Sequence, residues 1–347
     1  MIEQLQEKIR AAAQARAPLR VRGGGTKDFY GNALHGEVLD TRAHAGIVAY
    51  EPTELVVTAK CGTPLGELEA TLSANQQMLP FEPPRFGAGA TVGGCVAAGL
   101  SGPRRASAGA LRDFVLGVKL IDGRGQVLNF GGQVMKNVAG YDVSRLIAGS
   151  LGTLGLIAEV SLKLAPAPAH EMTLVLEAPQ ARALELMNRW AGQPLPLSAS
   201  AWHDGELSVR LSGSAAAVRA AATALGGEST DAGFWSGVRE HTDAFFAGEE
   251  PLWRLSVPST TPPLELEGRQ LIEWNGALRW LKSGMPANAV REAARRVKGH
   301  ATLFRAADKQ VACFPPLEPV VERLHRQLKA AFDPAGIFNP GRMLAER

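Results

Sequence analysis

The sequence predicts an α+β protein of two domains, the second smaller than the first and built on an antiparallel sheet. Three observations carry this reading. A chain of 347 residues is longer than the roughly 100–200 residues one core usually organises. Glycine clusters that follow or precede strand patterns are confined to the first half. The Pro/Ala segment Ala165–Ala169 then separates that half from a second, in which strand and helix patterns read as a sheet with helices on one face.

The elements follow in order. Residues 2–15 place apolar side chains at helical spacing, and a short strand, 19–22, runs directly into Gly23-Gly24-Gly25-Thr26-Lys27. A strand over 55–60 leads to a helix with Thr63 as its expected N-cap and Pro64 at its first helical position. From 79 to 105 glycine, proline and alanine dominate, and neither a helical nor an alternating period is visible. Next come a hairpin, 115–121 and 126–130, turning at Asp122-Gly123, and a strand over 153–164. The second half predicts a strand at 171–177, a helix at 180–191, a hairpin around Asp204-Gly205 and a helix at 214–225. Strands at 252–257, 270–274, 277–282 and 301–305 follow, with helices at 287–298 and 318–331.

Composition excludes several classes. Net charge is +3 with lysine and arginine scattered, so a nucleic-acid surface is not indicated. Cys61, Cys95 and Cys313 lie far apart and form no Cys-x-x-Cys, which argues against a zinc site, an iron–sulfur ligand set or a disulfide framework and fits a reducing compartment. No stretch approaches the roughly 20 apolar residues of a membrane span, and the amino terminus lacks an apolar signal core. A soluble, cytoplasmic protein is expected, one able to sit on a membrane-bound partner.

The glycine clusters carry the chemistry. A pyrophosphate needs many short N–H donors around two negative charges, and side chains at the contact points would hold the backbone too far away. Glycine removes that obstacle and admits positive φ, so consecutive amides can turn into one anion-binding concavity. Gly23–Lys27 has this form, and a plain turn is the alternative. Thr91-Val92-Gly93-Gly94 with Leu100-Ser101-Gly102 forms a second cluster, and Gly149-Ser150-Leu151-Gly152-Thr153-Leu154-Gly155 a third. Each alone is weak; three beside strands are hard to explain as turns. No Gly-x-Gly-x-x-Gly opens a helix after a strand, and there is no P-loop lysine motif, so neither a Rossmann site nor an ATP site is expected.

At these clusters the chain resembles the vanillyl-alcohol-oxidase / p-cresol-methylhydroxylase (PCMH) class of FAD proteins. Arg22–Lys27, Leu79–Pro84, Gly99–Arg105, Met135–Asp142, Trp274–Lys282 and Phe338–Met343 together resemble the FAD-binding subunits of bacterial glycolate oxidases over nearly the whole chain. The resemblance implies a two-subdomain PCMH-type FAD-binding domain at 1–166, a smaller α+β cap domain at 167–317, and a helix and tail at 318–347 returning to the FAD domain. It implies a cofactor set of Gly23, Gly24, Gly25, Thr26 and Lys27 at the pyrophosphate. Glu82, Thr91, Gly93, Gly94, Ser101 and Gly102 would lie along the cofactor, and Gly149, Gly152, Leu154 and Ile157 near the adenine and ribitol. The first loop carries no histidine, so FAD is expected to be held non-covalently. Gly99 stands where many of the broader class carry asparagine.

Catalysis by this chain is a separate question. Flavin oxidation of a 2-hydroxy acid needs a carboxylate clamp and a base or metal for the hydroxyl proton. The seven histidines (35, 44, 170, 203, 241, 300, 325) are dispersed, so no metal site is expected and His300 reads as a surface residue. Arg279, Lys282, Asn339 and Arg342 are candidates for groups near the ring. Trp274 and Trp280 read as packing residues, and Arg104-Arg105 either bind a phosphate or partner or are solvated. The resemblance implies a subunit supporting oxidation of glycolate to glyoxylate, with a homologous catalytic flavoprotein subunit and an iron–sulfur subunit as partners and a peripheral position at the inner face of the membrane through them. A self-sufficient 2-hydroxy-acid dehydrogenase and a structural subunit that holds FAD weakly or not at all remain the alternatives.

Overall fold

The computed structural model describes residues 1–132, 142–230, 233–307, 309 and 311–344. Helix Ile2–Ala15 buries Leu5, Ile9 and Ala12, one face at helical spacing, and ends at Arg16 in the left-handed region (φ 50°). Strand Leu19–Arg22 then pairs in parallel with Glu37–Asp40. A five-stranded antiparallel sheet follows, in the order Ile47–Glu51, Val56–Lys60, Leu156–Lys163, Val115–Ile121 and Val127–Gly131. One apolar core joins the first helix, the parallel pair and this sheet: Ile9, Leu39, Val57, Leu120 and Leu162 are all at most 2% exposed. The first half therefore has two layers of β-structure with the glycine loop at their junction.

Two local expectations are corrected. Helix Leu65–Ser73 has Pro64 at its N-cap and no side-chain cap. Thr63 instead spends its hydroxyl on Gly46, accepting from the amide (2.9 Å) and donating to the carbonyl (3.1 Å). The apparently aperiodic 79–105 stretch contains helix Val92–Ala98, capped by Thr91, and a short helix, Arg105–Ala108. A seven-residue helix of Gly, Ala, Val and Cys shows no polar face, because it is buried among neighbours all round.

The second half holds an antiparallel sheet of eight described strands. Its order is Glu228–Thr230, His170–Glu177, Glu206–Gly213, Leu197–His203, Arg269–Glu273, Leu278–Lys282, Leu252–Ser256 and His300–Arg305. Alternation sends Leu207, Val209, Leu211 and Ile272 toward helices Gln180–Ala191 and Ala215–Leu225, and Trp253, Leu255 and Leu281 toward helix Ala287–Arg296. The opposite face is also apolar. Leu252, Leu271, Leu278, Trp280 and Phe304 meet Tyr30, Leu100 and Leu151 of the first half in one cluster. Helix Gly233–Glu240 packs Trp235 on Ala199 and Ala201 of that same face. The expected one-sided helix layer thus holds for three helices and fails for this fourth. A sheet with two apolar faces must be covered twice.

The chain ends against its own beginning. After helix Pro319–Phe332, Leu19 donates to Ile337 O (2.7 Å) and Asn339 donates to Leu19 O (2.9 Å). Buried Asp333 organises the turn, accepting from the amides of Ile337 (3.1 Å) and Phe338 (2.7 Å) and from Lys329 Nζ (2.5 Å). Among the described residues no helix is long and apolar enough to cross a membrane.

Candidate functional site

The loop Gly23–Lys27 leaves the parallel strand Leu19–Arg22 with its amides unspent. None of the five N–H groups from Gly23 to Lys27 meets a hydrogen-bond acceptor among the described residues. Buried or half-buried amides are nearly always paired, so five consecutive donors without a protein acceptor are suited to receive an anion. The glycines are required by contact. A Cβ on Gly23 would fall 2.2 Å from Thr91 Oγ1, and one on Gly24 would fall 1.5 Å from Gly89 O; Gly25 has φ +72°. The loop therefore lies backbone to backbone on 89–91, the start of the second cluster, and lines one small cavity with Thr26, Thr91, Gly94 and Ala98.

The second and third clusters meet each other. Gly149 donates to Val96 O (3.0 Å) and Leu151 to Ala97 O (2.8 Å). A Cβ on Gly99 would fall 2.7 Å from Gly149 Cα, so glycine at 99 is what lets the two backbones touch. Gly93 packs on Cys61, and Gly102 packs on the Glu82 carbonyl. Leu154 and Ile157 are buried in the first core, and Gly152 (φ +70°) abuts the Asn339 amide.

Several predicted polar groups are engaged elsewhere. Lys27 donates to Arg85 O (3.2 Å) and lies 5.6 Å from the centre of the Phe86 ring, and burial holds its pKa below the usual lysine range. Glu82 accepts from the backbone amide (3.0 Å) and Nε (3.3 Å) of Arg104 and from Arg210 (2.9 Å). Its carboxylate belongs to an ion-pair network between the two halves. Arg279 alternates onto the helix-covered face of the second sheet. It donates to the carbonyls of Gly276 (3.2 Å), Pro262 (2.8 Å) and Thr261, and burial lowers its pKa to about 10. It faces away from the cleft, so its candidacy is corrected. Lys282 donates to the carbonyls of Ala247 and Gly248. Asn339 accepts from Val21 N (2.8 Å) and donates to Leu151 O (2.6 Å). Arg342 donates to the carbonyls of Asp28 (2.9 Å), Tyr30 and Asn32. Asn339 and Arg342 hold the segments flanking the glycine loop, and both line its small cavity. The quoted motif Met135–Asp142 lies outside the described residues except for Asp142, which caps helix Val143–Ile147.

A cleft of about 1460 Å³ opens between the halves at Ala98, which it shares with the glycine-loop cavity. Ser101 and Arg105 line it from the first half, and Arg254, Trp274, His300 and Thr302 from the second. Trp274 donates Nε1–H to Gly102 O (3.0 Å), tying the cleft walls together. It sits in the left-handed region (φ 54°), followed by Asn275 (φ 56°). An aromatic residue in that conformation is strained, and three hydrogen bonds hold it: Ser200 Oγ to Asn275 Oδ1 (2.8 Å), Asn275 N to Ser200 Oγ (3.2 Å) and Asn188 Nδ2 to Asn275 O (3.1 Å). Sequence reasoning treated His300 as a surface residue and did not select Arg254. Each is a single residue in an ordinary strand pattern, and only the facing of the two halves gives it a site. Among the described residues no group of three His, Cys, Asp or Glu side chains is arranged to hold a metal.

A glycine loop with free amides beside a parallel strand pair, opening onto a cleft roofed by a second sheet, defines a flavin-domain protein, and residues 1–131 match the family model described as FAD binding domain. The chain belongs to the family of glycolate oxidase subunit GlcE. It is 48% identical over 342 residues to that subunit from Escherichia coli (strain K12), covering 99% of this chain and 97% of the relative. The glycolate oxidase subunit GlcD of Bacillus subtilis (strain 168) is 29% identical over 175 residues, covering 50% of this chain and 37% of the relative. In fold it is similar to alkyldihydroxyacetonephosphate synthase, with a TM-score of 0.68 at 16% identity, over 97% of this chain and 75% of the other. The chain is thus a subunit of an FAD-dependent oxidoreductase.

Proposed function

We propose that this chain holds FAD non-covalently, through the backbone of Gly23–Lys27, as the accessory flavoprotein subunit of a glycolate-oxidising complex. The observation that carries the reading is the run of five unpaired amides facing a backbone that glycine alone can approach. These donors would take the pyrophosphate; the Gly99–Gly149 contact would pass the chain of the cofactor from the small cavity to the large cleft. When bound, the flavin supplies the two-electron acceptor for a 2-hydroxy acid. Thr91, Gly94 and Ser101 would flank it, and the Trp274 wall would exclude water from its ring.

Three features support non-covalent retention. The loop contains no histidine or cysteine. The three cysteines are buried. Burial pushes the thiols of Cys61 and Cys95 up to about 12, far from the thiolate needed for attachment. We further propose the division 1–166, 167–317 and 318–347, which is supported by the pairing of Gln77–Met78 with Ala165–Pro166 and by the return of 337–339 to Leu19. In the complex the partners would be a homologous catalytic flavoprotein, an iron–sulfur subunit and a small 2-hydroxy acid, with the assembly in the cytoplasm at the inner face of the membrane.

Gly24 is a poor place to test the loop, because any side chain there collides with Gly89 O and would disturb folding. Thr26 lines the same cavity and tolerates a side chain. Thr26→Asp, which sets a carboxylate against the phosphate position, should purify folded and yellowless, with FAD per chain falling at least tenfold by absorbance of the protein-bound flavin. Stoichiometric flavin in that variant would sink the loop assignment.

A further inference from the structure

Arg105 and Arg254 are cations of the cleft with no hydrogen-bond or ion-pair partner among the described residues, and they share one neighbour. Arg105 lies at the start of the short helix Arg105–Ala108, and Arg254 in the middle of strand Leu252–Ser256. They clasp one side chain: the guanidinium carbons are 4.4 Å and 5.2 Å from the centre of the Trp274 ring. Neither side chain makes a hydrogen bond or an ion pair among the described residues, whereas Arg104, next in the chain to Arg105, pairs with both Glu82 and Glu171. Arg112, also unpaired among the described residues, lines the same wall.

Burial lowers the pKa of both guanidiniums; Arg254 and Arg112 lower that of Arg105 further, while Tyr30 and Glu273 partly offset the effect at Arg254. Glu318 lines the cleft at the exposed start of helix Pro319–Phe332; the other acids nearby are occupied or recessed. Glu292 on the rim is taken by Arg295 and Arg296. Glu273 lies behind Arg254, 3% exposed, accepting from Trp280 Nε1 (2.7 Å). Unpaired arginines converging on a cleft have five fixed N–H donors each, a geometry matched to carboxylate. Both guanidiniums lie against the ring of Trp274, which is itself held in a strained backbone conformation, as expected of a preorganised site.

We propose that Arg105 and Arg254, positioned by Trp274, form a binding site for the carboxylate of a small 2-hydroxy acid or its 2-oxo product, so that this chain itself engages the acid. The site rests on the reading of the adjoining cavity as the flavin site, since the two share Ala98. It places the acid on the cap sheet, opposite the Ser101 wall.

The test is titration of the full, FAD-loaded chain with oxalate, a two-carbon dicarboxylate that flavin cannot oxidise in this way. Binding is followed both by the flavin difference spectrum and by calorimetry. Saturable binding is expected, weakened at least tenfold (about 1.4 kcal/mol) in Arg254→Gln and measurably in Arg105→Gln, with Arg254→Lys intermediate. Arg105 is half exposed, so its variant keeps the test sharp should Arg254→Gln lose stability. Absence of saturable oxalate binding by both readouts overturns the proposal. So does wild-type affinity in both glutamine variants, or inorganic phosphate competing as well as oxalate, which would mark a general anion site. A chain that purifies without FAD sinks the cofactor reading alone, and the calorimetric arm still decides this one.

Discussion

At the residue scale, the polar groups that sequence reasoning would place at a flavin divide by what their neighbours already take from them. Arg279, Asn339 and Arg342 donate to backbone carbonyls, which leaves each fewer donors for a ligand. Arg105 and Arg254 have no such partners. Glu273 is a buried carboxyl whose ionisation bears on stability. Burial raises its carboxyl to about 7 against the opposing pull of the Trp280 hydrogen bond and Arg254. The sign follows from linkage. Below its ordinary value of 4.5 the carboxyl is neutral in both states. Between there and about 7 only the unfolded chain ionises, so stability declines by about 1.4 kcal/mol per pH unit, and the decline ends above the folded value. Glu273→Gln, which can still accept from Trp280, should flatten this slope and raise stability by about 2–3 kcal/mol at pH 8. Urea midpoints across pH 4.5–8 measure it, and an unchanged slope would show that the carboxyl is ionised in the folded protein.

At the element scale, the strands and long helices were legible because periodicity survives burial on one face. Ile2–Ala15, Gln180–Ala191 and Pro319–Phe332 fall within a residue or two of their sequence expectations. The helices Val92–Ala98 and Gly233–Glu240 were not legible. The first is enclosed on all sides and has no polar stripe, and the second is too short to establish a period. The carboxyl-terminal return was visible only as unusual turn chemistry; the structure gives its mechanism in Asp333. Asp333→Ala strips the acceptor from the buried amides of Ile337 and Phe338 and should cost about 2–4 kcal/mol. Because the displaced segment leads into Asn339, which bonds Val21 and Leu151, the variant should also release FAD more readily. Thermal unfolding and flavin retention after dilution read the two effects, and loss of stability with unchanged retention would separate the tail from the cofactor site.

At the scale of the whole molecule, an apolar contact and a buried ionic network join the two halves, beside hydrogen bonds such as Trp274 to Gly102 O. Tyr30, Leu100 and Leu151 meet Trp280 and Phe304 in a shared cluster. Beside it Glu82 bridges Arg104 and Arg210, whose side chains are 12% and 7% exposed. Removing one partner from such a network leaves uncompensated buried charge, at a cost of about 3–5 kcal/mol. Glu82→Gln should therefore destabilise the junction more than either half, splitting the unfolding transition in calorimetry while the FAD domain keeps its flavin. A single transition shifted as a whole would mean that the halves do not fold separately.

The sequence by itself determined where backbone must approach backbone. Glycine is chosen by hard-sphere contact within a few residues, so the loops at 23–27, 93–94, 99–102 and 149–155 announce themselves in one dimension as backbone suited to a pyrophosphate, and the resemblance they carry names the cofactor class. The structure sharpened this by showing five amides left without acceptors and by naming Gly89, Thr91 and Gly149 as the surfaces that exclude a Cβ. What only tertiary structure decided is which charges are free. An arginine looks the same in sequence whether carbonyls engage it, as at 279 and 342, or it lies against a tryptophan between two domains, as at 105 and 254. The availability of a charge depends on the neighbours that desolvate and pair it, and here those neighbours come from the facing of two sheets more than a hundred residues apart.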